Sequence, residues 1–138
     1  MFSQDFSLID KIPASIDLEF SVLSHLYWDG DVFSNLKNII YSSDFFKPEH
    51  VKLFHVMEQC FLKDGIITKH SINDFLNSDD LLNKIGGSEF LNKLEIFVPD
   101  FQNTITFAKK IKEKSIKRKQ MILAVEYISK LKKDDYDV

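Results

Sequence analysis

The side chains able to do chemistry are few: four histidines, one cysteine, four glycines and a scatter of carboxylates. His50 and His55 fall five residues apart on one expected helix, which turns them to different faces, and neither belongs to a metal-binding spacing such as H-E-x-x-H. His25 and His70 read as exposed or hydrogen-bonded surface residues. Cys60 has no second thiol for a disulfide, and ahead of Phe61 and Leu62 it reads as a small buried hydrophobe rather than a nucleophile. A phosphate loop needs closely spaced glycines leading to a lysine, and Gly30, Gly65, Gly86 and Gly87 open no such run. The acidic pairs Asp79-Asp80 and Asp134-Asp135 sit where helix caps and ends are expected. The expectation is a chain with no catalytic, metal-binding or cofactor-binding residues of its own.

Charge is the second source of chemistry. The net charge of -3 hides an asymmetry: residues 1–100 carry net -8 and residues 101–138 net +5. Most of the positive charge lies in Lys109, Lys110, Lys112, Lys114, Lys117, Arg118 and Lys119, interrupted by Glu113. Such a run is either an electrostatic docking face, for nucleic acid or an acidic protein, or the solvated flank of a helix. No aromatic residue lies within it to stack a base, which weakens the single-strand version of docking.

The elements that must position these residues follow from periodicity. Hydrophobic residues at 44%, thirteen of them phenylalanine, suit one folded domain. No apolar run approaches the ~18 residues of a membrane span and no signal peptide is seen, so a cytoplasmic chain is expected. Residues 1–12 read as a flexible lead-in. A helix capped at Ser15 carries Leu18, Val22, Leu23 and Leu26 up to Asp29-Gly30. A second, over 32–41, places Val32, Leu36, Ile39 and Ile40 on one side; a third runs from Pro48 to Lys63 with Val51, Phe54, Phe61 and Leu62 inward. Between them Asp44 turns the connection, while Phe45 and Phe46 anchor it in the core, so that Phe46→Ala should cost much of the domain's stability. Short helices follow, from Ser71 through Ile72, Phe75 and Leu76, over Leu81, Leu82 and Ile85, and over Phe90, Leu91, Leu94 and Phe97, the last after a break at Gly86-Gly87 that permits φ > 0. From Phe101 to Lys133 there is no proline or glycine, and Phe101, Ile105, Ala108, Ile111, Met121, Ile122, Val125, Ile128 and Leu131 recur at helical spacing. Pro99 and Asp100 mark its start. The predicted architecture is all-α: a compact helical head over 13–100 and a long projecting C-terminal helix over 101–138.

Four stretches in order resemble the N-terminal domain of DnaB-type replicative DNA helicases. They are Pro13-Ala14-Ser15-Ile16-Asp17-Leu18-Glu19-Phe20-Ser21-Val22-Leu23, with Phe20 where the pattern has glutamine; Asp44-Phe45-Phe46-Lys47-Pro48-Glu49-His50 with Leu53-Phe54; Gly86-Gly87 with Phe90-Leu91 and Leu94; and Pro99, Asn103, Phe107-Ala108, Ile111, Glu113, Ser115 and Arg118. Thr68 stands where that family has the aspartate of P-I-D. The resemblance implies a fold without an active site: the collar module of a hexameric, ATP-driven helicase, pairing through a helical hairpin and offering surfaces to primase and helicase loaders. ATP and magnesium would belong to a motor domain that this chain does not contain, and DNA would be met only by the full assembly.

On that reading the chain ends about where the hairpin would turn back, so Met121, Ile122, Val125 and Ile128 lack cover and should associate with a second copy as a homodimer. Lys109, Lys110, Lys112, Lys117, Arg118 and Lys119 would then remain solvated or dock electrostatically. Two other readings stand beside it: a direct nucleic-acid-binding module using the basic run 109–119, and a primase-type helicase-binding domain built on a similar helical head.

Overall fold

The structure is a computed structural model and describes residues 12–136 except Asp79. The described residues form helices joined by turns: α1 Ile16–Trp28, α2 Phe33–Leu36, α3 Pro48–Asp64, α4 Lys69–Ser78, α5 Leu81–Lys84, α6 Gly87–Ile96 and α7 Thr104–Tyr136, with 3-10 turns at Gly30–Val32 and Ser42–Asp44. The fold is all-α, as composition and period require. Helix α1 is central and packs against α3, α6 and the first half of α7. Val22, Leu23 and Leu26 of α1, Leu53, Phe54, Met57 and Cys60 of α3, Ile72, Leu76, Leu94, Ala108 and Ile111 fill the core.

Local chemistry sets most boundaries. Pro48 occupies the first turn of α3, and Gly65, in the left-handed region at φ 73°, closes it with its N–H on the Phe61 carbonyl. Thr68 and Ser71 cap each other across the start of α4, each hydroxyl accepting the other's amide at 3.0 Å, so that helix begins at Lys69 rather than Ser71. Ser15 holds the cap position of α1 but makes no side-chain capping bond. Gly86 and Gly87 take φ of 110° and 75° between α5 and α6.

Further expectations are corrected. The helix expected over 32–41 is only a 3-10 turn leading into Phe33–Leu36, because the Tyr41 N–H leaves the helical path to donate to Asp44 Oδ2 at 2.8 Å. Leu62 does not face inward: it is 76% exposed, and Leu53, Val56, Met57 and Cys60 fill the inner face of α3 beside Phe54. The long helix starts at Thr104, not Phe101. There the Asn103 side chain donates to Asp100 Oδ2 at 2.7 Å and the Thr104 hydroxyl to the Asp100 carbonyl at 3.3 Å, making a turn ahead of the helix. Nor is the apolar stripe continuous. Thr104, Ala108, Ile111 and Ser115 are buried at helical spacing against the head, whereas beyond Gln120 the apolar residues point in several directions. Ile122 and Val125 continue the inner side, and Leu123, Tyr127 and Leu131 share another flank.

Candidate functional site

The joint between α7 and the head is built around Asp44. Its 3-10 turn buries the carboxylate completely, and four groups converge on it: the Tyr41 N–H at 2.8 Å, the Ser115 hydroxyl at 2.8 Å, and the ammonium groups of Lys112 at 3.1 Å and Lys119 at 3.5 Å. Burial alone would push the Asp44 carboxyl up, but the hydrogen bonds from Tyr41, Ser115 and Lys112, together with the Lys112 charge, outweigh it and hold the group below the usual carboxylate range. Arg118 completes the clamp. Its guanidinium donates to the carbonyls of Pro13 at 2.7 Å and Asp44 at 2.5 Å, and stacks over the Phe46 ring at 5.4 Å.

A second buried carboxylate supports the same turn from below. Glu19 of α1 accepts from the amides of Phe46 at 2.8 Å and Lys47 at 3.4 Å, and its Oε1 lies 2.8 Å from His50 Nδ1. The rings of Phe20, Phe45 and Phe90 surround that histidine. Residues 44–47 are thus held by α1, α3 and α7 together.

This arrangement divides the basic run. Lys112, Arg118 and Lys119 turn inward to the Asp44 turn, while Lys109, Lys110 and Lys117 are exposed. The predicted anchors divide as well: Phe45 and Phe54 are buried, with ring centroids 4.9 Å apart. Phe46 is a correction, since it is 39% exposed and serves as a platform for Arg118 rather than as core. Ile122, Val125 and Ile128 are 58%, 41% and 52% exposed, and Met121 is half-buried. A groove of about 600 Å³ runs between this part of α7 and the head, lined by Ile12, Phe45, Phe46, Met121, Ile122 and Val125.

The histidines and the cysteine have structural surroundings. His25 is a correction to the surface reading: it is buried, its Nδ1 2.5 Å from Thr104 Oγ1 and its ring edge-on to Phe101. Burial holds its imidazole below the usual range against the opposing pull of Asp29. Burial likewise pushes the Cys60 thiol up, away from the thiolate a nucleophile needs. Among the described residues no three His, Cys, Asp or Glu side chains gather as a metal site requires. None of the helices described is long and apolar enough to cross a membrane. Asp79 and the lead-in 1–11 lie outside the described residues.

Sequence reasoning missed Glu19, His50 and Ser115 as parts of the joint. A signal was present: Glu19 stands three, four and seven residues before Val22, Leu23 and Leu26, on the buried stripe of α1, and Ser115 continues the spacing of Ala108 and Ile111. A carboxylate on a core face needs partners, and the amides of 46–47 supply them.

Comparison with known proteins agrees with the all-α fold. A family model described as the DnaB-like helicase N terminal domain matches residues 11–113. The replicative DNA helicase DnaB of Rickettsia felis is 25% identical over 125 residues, 91% of this chain and 25% of that protein. The corresponding protein of Geobacillus stearothermophilus is 28% identical over 107 residues, 78% of this chain and 24% of that one. The chain thus spans about a quarter of the length of the curated relatives it matches. In fold it is similar to the crystal structure of the N-terminal domain of DnaB helicase from Mycobacterium tuberculosis, with a TM-score of 0.80 at 21% identity over 93% of this chain and 91% of that one. With most of its length matched by the family model, the chain belongs to the DnaB-like helicase N-terminal domain family.

Proposed function

We propose that this chain serves as the non-catalytic collar module of a hexameric, ATP-dependent replicative helicase: it pairs with a second copy through α7 and offers its head to primase or a helicase loader during DNA replication in the cytoplasm. The observation that carries this reading is the contrast along α7. Its first half is clamped to the head through Asp44, and its second half carries Ile122, Val125 and Ile128 into solvent. Fully burying such a side chain contributes about 1.5–3 kcal/mol, so a shared cover for several of them is worth a good part of a domain's stability. A two-fold contact meets that need with one self-complementary patch. Light scattering tests it: the parent should run as a dimer and Ile122→Asp/Val125→Asp as a monomer, and a parent that stays monomeric at high concentration removes the pairing role.

No ATP turnover or strand separation is expected of the chain by itself, because ATP and magnesium would act in a motor domain and DNA would be met by the whole assembly. Turnover above a buffer control in pure protein would contradict this. The exposed Lys109, Lys110 and Lys117 favour a second reading, direct nucleic-acid binding. Three phosphate contacts would give a slope of about -3 in a plot of log affinity against log salt. Binding that steep would favour the second reading; no binding at moderate salt would favour the collar.

A further inference from the structure

The Glu19–His50 pair beneath the 44–47 turn has an open side that the joint does not use. His50 is 1% exposed, and the surface it keeps opens into a pocket of about 320 Å³ between α6 and the starts of α1 and α3. Glu19 already accepts from two amides, so His50 Nδ1 donates to it, and the neutral ring then keeps Nε2 as an acceptor. Among the described residues Asn73 Oδ1 is the one buried side-chain polar atom with no partner, so Nε2, also without one, is the atom left open. An acceptor so nearly buried calls for a donor from a ligand. The walls are aromatic: Phe20 stands edge-on to Phe90 at 6.0 Å and to Phe97 at 5.0 Å, and His50 lies 5.9 Å from Phe90. Basic groups join them. Lys47 is half-buried and has no ion pair among the described residues, and Lys93 reaches only the exposed Glu89 at 3.9 Å. Asp17 is the one carboxylate on the lining, so two ammonium groups face one negative charge.

We propose that this pocket receives a tyrosine side chain flanked by acidic residues, presented by a partner protein. The ring packs among Phe20, Phe90 and Phe97, its hydroxyl donates to His50 Nε2, and the neighbouring carboxylates meet Lys47 and Lys93. At the small end of the ~300–1,000 Å³ range of ligand pockets, the cavity holds one such ring rather than an extended ligand. A phenylalanine would fill the walls but leave the acceptor unpaired, and a basic flank would meet like charge, so the pocket selects by hydroxyl and by charge. The site gives the docking role of the head a definite place, and it rests on that reading for the protein that brings the segment.

The full chain, isotope-labelled for NMR and titrated with acetyl-Asp-Tyr-Asp-amide, tests the site. Signals of His50, Phe20 and Phe90 should shift and saturate in the low millimolar range or below, with those of Ile122 and Val125 on α7 unmoved. The same peptide with phenylalanine for tyrosine should bind about two- to tenfold more weakly, the loss of one hydrogen bond. Lys47→Gln/Lys93→Gln leaves the core intact and should weaken the tyrosine peptide at least about fivefold while flattening its salt dependence. No saturable shift at His50 would overturn the proposal. So would equal affinity for the phenylalanine peptide, which removes the hydroxyl contact, or equal affinity of the double variant, which removes the acidic flank. Acetyl-tyrosine-amide binding as tightly as the tripeptide would overturn it too, since a free phenol would then suffice. Light scattering reads the pairing of copies separately: a dimer that ignores the peptide removes this site and keeps the pairing, and a monomer that binds it upholds this site and removes the pairing.

Discussion

Asp44 gathers four partners on one buried carboxylate, more than Glu19 does, and its chemistry predicts how the fold responds to pH. Asp44→Asn should lower stability by about 1.5–3 kcal/mol, the range for hydrogen bonds to a charged group, since Lys112 and Lys119 stay partly solvated once unpaired. Because the folded carboxyl titrates below its ordinary value of about 3.9, its contribution is complete above that pH and is lost as pH falls through the folded value. Urea melts should therefore show the parent and Asp44→Asn converging below about pH 4. His25 adds an earlier decline: its imidazole is held below the ordinary value near 6.5, so stability falls as pH drops beneath that value and the unfolded chain gains the proton first. The phenylalanines divide in a way the turn alone did not reveal. Phe54→Ala should cost roughly 3–5 kcal/mol in thermal or denaturant melts, whereas Phe46→Ala should cost about 1 kcal/mol, the worth of a half-exposed ring beneath a guanidinium. Phe45 and Phe46 both follow the 3-10 turn that ends at Asp44, yet Phe45 packs on Phe54 in the core while Phe46 lies beneath Arg118 of α7.

At the scale of elements, helix ends written in backbone chemistry were legible in advance. Pro48, Gly65 and the Gly86-Gly87 pair each mark a boundary by what their backbone permits, and the structure uses each that way. The short α2 was not legible, since it is cut off by a hydrogen bond from Tyr41 to a carboxylate whose other partners lie some seventy residues away on α7. The inner face of α3 was misread for a related reason: Phe61 and Leu62 are apolar neighbours on a helix with room in the core for only part of that surface. Gly30 shows a constraint that sequence hides entirely. A Cβ built there would sit 2.1 Å from the Ile67 carbonyl oxygen, because the 3-10 turn crosses the 66–68 link at contact distance. Gly30→Ala should lower stability by about 1–3 kcal/mol through forced displacement of backbone, measurable as a reduced urea midpoint. A Gly30→Ala protein that melts like the parent would mean that the two segments separate freely.

For the whole molecule, the all-α class and the long last helix could be read from period and punctuation, and the family from four ordered stretches. The groove could not, because its walls come from residue 12, residues 45–46 and residues 121–125, which no local pattern relates. Described residues 122–134 are all exposed, so the head should fold without them. A chain ending at Gln120 is expected to melt within about 1 kcal/mol of the parent and to run as a monomer, read by calorimetry and light scattering. A head that loses much of its stability on this truncation would show that the distal helix supports it directly.

The position of Arg118 gives α7 the mechanics of a lever. The clamp at Asp44, Pro13 and Phe46 is its fulcrum, and the nineteen residues from Arg118 to Tyr136 form a stiff arm of about 27 Å. On an arm of that length a tilt of about 5° at the fulcrum displaces the tip by about 2 Å, enough to misalign packed side chains at a contact surface. Angular tolerance at a few hydrogen bonds in the head therefore becomes positional tolerance at the far end of the helix, and a substitution that never touches the tip can still decide where it points.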